Sequence, residues 1–314
     1  MTYGDFRDSL HDVGFTLATP FNETGDAVLH NELAANAEAL QAAGANVFIP
    51  CGNTGEYYSL SHDERIAVVE TVADAVGSDG TVIGGAGGST KTTLDLVDAY
   101  EDAGVDGVMV MYPSHTYVNQ DGAVEYYRRI ADATNLPVVL YKRGPALSDD
   151  ALCELSTVEN VAAVKYAVDD SASFLRVVSE VPGDVTWING IAERFALSYA
   201  MEGADGFTTG IGNALPEPVL ALSSAIQDED WKRAREVRDA IRPLEDLRAE
   251  TGPNNDLSAA NNVPVVKHCM EVAGLYGGPV REPLVELSEE DADRAESRLE
   301  TVRSLDLSTP ATAD

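Results

Sequence analysis

Lysine is scarce in this chain. There are five, Lys91, Lys142, Lys165, Lys232 and Lys267, and all lysines and arginines together number 21 against 53 acids. No basic stripe exists to meet phosphates, which argues against nucleic-acid binding. Cysteine is nearly absent too. Cys51, Cys153 and Cys269 are odd in number and far apart, which speaks against a disulfide scaffold and suits a reducing cytoplasm. No Cys/His cluster has zinc spacing and the five histidines are scattered, so neither a metal site nor a metal cofactor is legible. No run approaches eighteen apolar residues, so no membrane span is expected. The opening MTYGDFRDSLHD has no basic patch followed by an apolar run, so no secretory signal is read there and the expected location is cytoplasmic.

What is present is acid. The formal net charge is -32, dispersed over many helical segments rather than gathered in a tail. An apolar content of 44% and clear periodicity argue for a folded core in spite of that charge. Few lysines with abundant, dispersed Asp and Glu resemble the composition of proteins from salt-accumulating halophiles, in which counterions screen self-repulsion.

Short β-branched runs alternate with helical segments. Strands are expected at Val13–Thr19, Ala45–Pro50, Thr81–Gly84, Asp106–Met111, Pro137–Tyr141, Val161–Lys165, Val185–Asn189 and Ala204–Thr208. Helices are expected between them, near 30–43, 62–77, 90–103, 120–134, 148–156, 169–180 and 192–202, where apolar residues recur at three- and four-residue spacing. Gly44, Gly104 and Gly203 each precede a strand, as a glycine closing the preceding helix would. Eight strands each followed by a helix predict an α/β fold, a closed (β/α)8 TIM barrel, rather than an open sheet. The first strand ends Thr19-Pro20-Phe21, so the GxGxxG fingerprint of a dinucleotide site is missing. The expected division is a barrel over 1–215, a last barrel helix and C-terminal helices over 216–304 packed on it, and a frayed tail over 305–314.

Barrel enzymes carry their chemistry at the C-terminal ends of strands. Lys165 ends an apolar run there. An unpaired buried ammonium is costly, and such a site lowers the amine's pKa and frees it to attack a ketone. After the second strand comes Gly52-Asn53-Thr54-Gly55-Glu56, whose backbone amides and Thr54 hydroxyl could hold an anion, or simply turn the chain. The fifth strand ends Tyr141-Lys142-Arg143. Tyr141 could move a proton and Arg143 could hold a carboxylate, or the two could be an interface tyrosine and a surface arginine. The stretch Gly84–Thr92 fails the phosphate-loop pattern, because Thr90 stands where Gly must precede Lys91. Glycine-rich packing is the better reading.

Leu17–Phe21, the GNTGE loop with its Tyr-Ser-Leu-Ser continuation, Tyr141, Lys165 and the Gly206–Asn213 segment together resemble the dihydrodipicolinate synthase / N-acetylneuraminate lyase family of class I Schiff-base lyases. The resemblance covers nearly the whole chain. It implies that Lys165 forms an imine with a 2-oxo acid, that Tyr141 is the proton-transfer phenol, and that Asn53 and Thr54 hold the substrate carboxylate. It also implies that Gly190 and Ile211 line the cavity and that the enzyme is a homotetramer acting on a small molecule; no cofactor is expected, since no ligand cluster is legible and the iminium itself serves as the electron sink. Asn53 replaces the family's usual hydroxyl residue. Tyr-Lys-Arg resembles the Tyr-Asn-Arg of the branch that dehydrates 2-oxo-3-deoxy sugar acids. Tyr112-Pro113-Ser114-His115 lacks the paired tyrosines of the synthase branch, leaving His115 as a substitute polar group or, the favoured reading, a rim histidine. The expectation is therefore a dehydratase of a 2-oxo-3-deoxy pentonate, hexonate or glucarate. An aldolase releasing pyruvate and an aldehyde ranks second. Dihydrodipicolinate synthesis and a silent sugar-acid-binding barrel rank below both.

Overall fold

A computed structural model describes residues 1–182 and 184–307. Eight parallel strands close on themselves in sequence order: β1 (Val13–Thr16), β2 (Val47–Ile49), β3 (Thr81–Ala86), β4 (Gly107–Val110), β5 (Val138–Lys142), β6 (Val161–Tyr166), β7 (Thr186–Asn189) and β8 (Gly206–Thr209). β1 pairs with both β2 and β8, which completes the (β/α)8 barrel. Almost every strand residue is buried, as expected when side chains face either the barrel interior or a surrounding helix layer.

The helical layer follows the periodicity read from the sequence. It comprises α2 (His30–Ala42), α3 (His62–Val76), α4 (Thr90–Asp102), α5 (Gln120–Ala131), α6 (Asp149–Leu155), α7 (Ser171–Glu180) and α8 (Ala196–Met201). Short polar side chains start several of them. Ser61 and Glu64 form a reciprocal capping box on α3, and Ser89, Asn119 and Ser148 cap α4, α5 and α6. Gly44, Gly104 and Gly203 adopt φ of 107°, 75° and 100°. These are conformations a side chain would strain, so glycine is what turns each helix end into the next strand.

Two differences from the expected elements matter. Helix α1 (Tyr3–Ser9) precedes β1 where no element was expected. It starts with a Thr2/Asp5 capping box, and its Phe6 is fully buried beneath the barrel, against Gly107. A Cβ on Gly107 would lie 2.6 Å from that ring. Strands β1 and β2 are also shorter than their apolar runs, because Leu17–Thr19 and Pro50 leave the ladder to build loops at the barrel mouth.

After β8 come α9 (Pro216–Gln227), α10 (Trp231–Arg248), α11 (Asn262–Ala273) and α12 (Glu289–Arg303). Helix α10 packs on α9, α11 and α12 and on the 193–195 turn after β7. Its C-terminal end thereby reaches the mouth of the barrel. Of the tail expected over 305–314, residues 308–314 lie outside the described residues.

Candidate active site

Neighbouring strands bring the expected lysine and tyrosine together. Tyr141 of β5 is in register with Lys165 of β6. Alternation along each strand turns both into the barrel, and Lys142 and Tyr166 away from it. Lys165 Nζ lies 4.5 Å from the centroid of the Tyr141 ring. Three lysines are buried: Lys142, Lys165 and Lys267. Lys142 pairs with Asp149 and Lys267 with Glu56, whereas Lys165 has no carboxylate partner among the described residues. Burial, aided by the Arg143 charge, lowers its pKa to about 7. A large fraction of the amine is therefore neutral and nucleophilic at neutral pH.

These groups open onto a cavity of about 300 Å³ at the C-terminal ends of the strands. Asn53, Thr54, Tyr141, Arg143, Lys165 and Gly190 all line it. Asn53 Nδ2 donates to the Tyr141 hydroxyl at 3.2 Å, and Asn53 Oδ1 is buried without a partner among the described residues. Burial pushes the Tyr141 phenol up, and nearby Arg143, at the solvent-open rim, opposes that shift. Thr54 Oγ1 lies 3.0 Å from Thr16 Oγ1, linking the GNTGE loop to β1. Gly190 must be glycine for reasons of space, since a Cβ there would stand 2.9 Å from Lys165 Cγ.

Three expected residues are not brought to the cavity wall. Ile211 is fully buried in the short 211–213 turn, and Ile191, from the loop after β7, lines the cavity instead. Gly52 sits one layer lower, where a Cβ would face Thr16 and Met109, and shapes the loop without reaching the cavity. His115 is exposed on the outer loop beside Pro113, Tyr117 and Asn119. Conversely, Arg248 and Glu245 of α10, and Asn262 of α11, line the cavity and were not anticipated. Tyr112 was also undervalued. It packs edge-on against Tyr141 at 5.3 Å, and Tyr58, from the GNTGE loop's continuation, stacks behind it at 6.3 Å. A pair of tyrosines thus does stand beside Tyr141, drawn from two segments instead of one.

The stretch after β3 is packing. A Cβ on Gly85 would fall 2.1 Å from the Cys51 carbonyl oxygen, and one on Gly84 would strike the Tyr100 ring.

A lysine and a tyrosine in a cavity at the C-terminal mouth of a (β/α)8 barrel place the protein among barrel enzymes of the lyase class. The model of the Dihydrodipicolinate synthetase family matches residues 10–302. The chain belongs to that family. It is 30% identical over 312 residues to the 4-hydroxy-tetrahydrodipicolinate synthase of Haloarcula marismortui, covering 98% of this chain and 97% of the relative. The solved dihydrodipicolinate synthase of Oceanobacillus iheyensis superposes with a TM-score of 0.91 at 35% identity, over 97% of this chain and all of that one. That of Bacillus clausii gives 0.90 at 32%, over 95% and 99%.

These likenesses overturn the expected sugar-acid dehydratase. Relatives that match nearly end to end carry the synthase name, the reading ranked below dehydratase and aldolase from the sequence. The physical reason lies in β5. In Tyr-Lys-Arg the one residue that departs from Tyr-Asn-Arg is Lys142, and it faces outward, where its Nζ donates to the Leu147 carbonyl at 2.7 Å and to Asp149 at 2.9 Å. It has no access to a substrate in the barrel, so its identity carries no information about the reaction. The lyase class stands; the hydro-lyase assignment does not.

Proposed function

We propose that the protein is a Schiff-base synthase of the 4-hydroxy-tetrahydrodipicolinate type, joining a 2-oxo acid to an aldehyde. The observation that carries this reading is the buried amine of Lys165, unpaired by any carboxylate among the described residues and facing Tyr141. The neutral amine adds to the carbonyl carbon of pyruvate and water leaves, forming an iminium. Loss of a methyl proton gives an enamine, which attacks the aldehyde carbon of the second substrate. The alkoxide takes a proton from the Tyr141 hydroxyl and becomes the 4-hydroxyl. A six-membered nitrogen ring with carboxylates on both carbons beside the nitrogen and a hydroxyl at carbon 4 requires a four-carbon α-amino acid with a terminal aldehyde. Its amino group then attacks the iminium carbon, closes the ring and expels Lys165. One water is lost overall and nothing is oxidised. Thr54 and the loop amides receive the pyruvate carboxylate, while Arg143 at the rim meets the carboxylate of the aldehyde.

The relatives' names support this reading, and so do Tyr58 and Tyr112 stacked outward from Tyr141. The test is direct. Pyruvate with borohydride adds one three-carbon adduct at Lys165, and the amino-aldehyde then consumes pyruvate with formation of the cyclic product. No adduct at Lys165, or an equal adduct in Lys165→Ala, rejects the proposal. We extend it to a cytoplasmic homotetramer, as the family resemblance implies, and a mass measured in solution at high salt decides the assembly.

A further inference from the structure

One wall of the cavity holds a charged cluster that these steps do not use. Arg248, at the end of α10, is buried. Its NH1 pairs with Glu245, its NH2 donates to Asn262 Oδ1 at 3.0 Å, and its Nε donates to the Asn262 carbonyl at 3.3 Å. A guanidinium has five N–H bonds, and these contacts use three. The NH2 group crowds Gly210, where a Cβ would lie 2.4 Å from it and 3.0 Å from Thr54 Oγ1. The guanidinium therefore stands beside the Thr54 loop, at the cavity's anion-holding end. Behind it lies Glu193, in the turn after β7. It is fully buried, and beyond the Thr209 hydroxyl that it faces its carboxyl oxygens have no hydrogen-bond partner among the described residues.

We infer that Arg248 is a specificity-determining residue that grips the carboxylate of the 2-oxo acid alongside Thr54, and that buried Glu193 is the positioning residue that keeps this end of the cavity from turning anionic. The identity of the anion rests on the Schiff-base reading above; the grip on a carboxylate does not.

The electrostatics support the arrangement. Arg248 and Glu245 cancel each other. Glu193 faces Glu245 and Arg248 from α10 and Thr209 from β8, while α8 brings it no charge. Burial, and then the Glu245 charge, push its carboxyl well above the usual carboxylate range. As a neutral acid it leaves the remaining N–H donors of Arg248 free to bind an anion. Once ionised it gives this wall a net negative charge that repels one.

The experiment uses the whole chain and two ketones. Pyruvate carries the carboxylate; acetone lacks it. In the Arg248→Met variant, the pyruvate concentration that half-saturates borohydride trapping at Lys165 rises roughly 10- to 100-fold, as loss of charge-assisted hydrogen bonds predicts, while trapping of acetone is unchanged. Glu245→Gln/Arg248→Met removes both charges and guards against misfolding from an unpaired Glu245; it shows the same selective loss. In wild type, affinity for pyruvate falls at alkaline pH, and Glu193→Gln flattens that fall. Binding of pyruvate to Lys165→Ala, followed by calorimetry, reads the grip without any chemistry, and adding Arg248→Met weakens it at least tenfold. Unchanged pyruvate affinity in the Arg248 variants, an equal loss for acetone, or no pyruvate binding by Lys165→Ala overturns the inference. If Lys165→Ala binds pyruvate through Arg248 but the wild type traps no ketone, it is the Schiff-base reading that fails.

Discussion

At the scale of single residues, burial and one neighbouring charge set the proton affinity of the Lys165 amine. Lys165 is held near pKa 7 by burial and by Arg143. Removing the like charge in Arg143→Gln raises that pKa, so the acid limb of the imine-formation rate moves to higher pH, by roughly one unit or less. Rapid-mixing rates of imine formation across pH 5–9 check this, and an unmoved limb removes Arg143 from control of the amine. The same burial has a stability signature. Below pH 7 the folded protein holds a buried ammonium at its full cost. Between about 7 and 10.5 the folded amine is neutral while the unfolded one keeps its proton, so wild-type stability rises with pH across that window. Lys165→Met abolishes the cost. It is expected to be more stable than wild type by about 1–2 kcal/mol at or below pH 7, with the gain shrinking toward pH 10, as read by denaturant titration at each pH. Tyr141→Phe is expected to lower turnover roughly 10²- to 10⁴-fold with the pyruvate adduct still trapped. Loss of the adduct as well would make the phenol a structural support for the amine.

At the scale of elements, the GNTGE loop is fixed by the far end of the chain. Glu56 occupies the left-handed region at φ 54°, and its carboxylate is buried 2.6 Å from Lys267 Nζ on α11. Glu56 Oε2 accepts from the Arg281 amide at 2.9 Å, and the Arg281 guanidinium pairs with Glu64 at the start of α3. Phe21 carries both cations over its ring, Lys267 Nζ at 4.3 Å and the Arg281 guanidinium at 4.1 Å. The C-terminal segment is thus a clamp on a loop of the candidate site as well as an outer layer. Breaking the pair strands a buried charge, so Lys267→Met is expected to cost about 3–5 kcal/mol. Glu56→Gln/Lys267→Met, which removes both charges, is expected to cost distinctly less. Equal losses in chemical denaturation would mean that packing, and not the stranded carboxylate, dominates.

At the scale of the whole molecule, charge governs. Fifty-three acids cannot all find partners among 21 bases, and the excess is spread over the helical layer that encloses the barrel. Repulsion at net -32 opposes a compact state, and counterions within a Debye length of about 3 Å at 1 M salt relieve it. Cooperative unfolding is expected to move to higher temperature as potassium chloride rises from dilute buffer to molar concentration, and activity is expected to follow. A melting temperature indifferent to salt would detach the acidic composition from any role in stability.

The sequence by itself determined the barrel. Eight β-branched runs separated by amphipathic segments, with glycine at helix ends, admit few other packings, because each run must bury both faces and each helix one. That Lys165, Tyr141 and the GNTGE loop meet at one cavity was legible for the same reason: in such a barrel, strand ends converge at one mouth. What tertiary structure decided was everything that depends on direction or on distant segments. The Tyr-Lys-Arg resemblance behind the branch assignment includes Lys142, and strand alternation turns that residue out of the site. Ile211 was placed in the wall, and a short helical turn buries it elsewhere. Cys51, Ala192 and Ala259 take positive φ near the mouth without the glycine that would have announced it. Glu193, Glu245 and Arg248 lie in sequence among many other charged residues with no motif to mark them. They form one buried cluster only because α10 folds back over the 193–195 turn, and no local pattern records where a helix will dock.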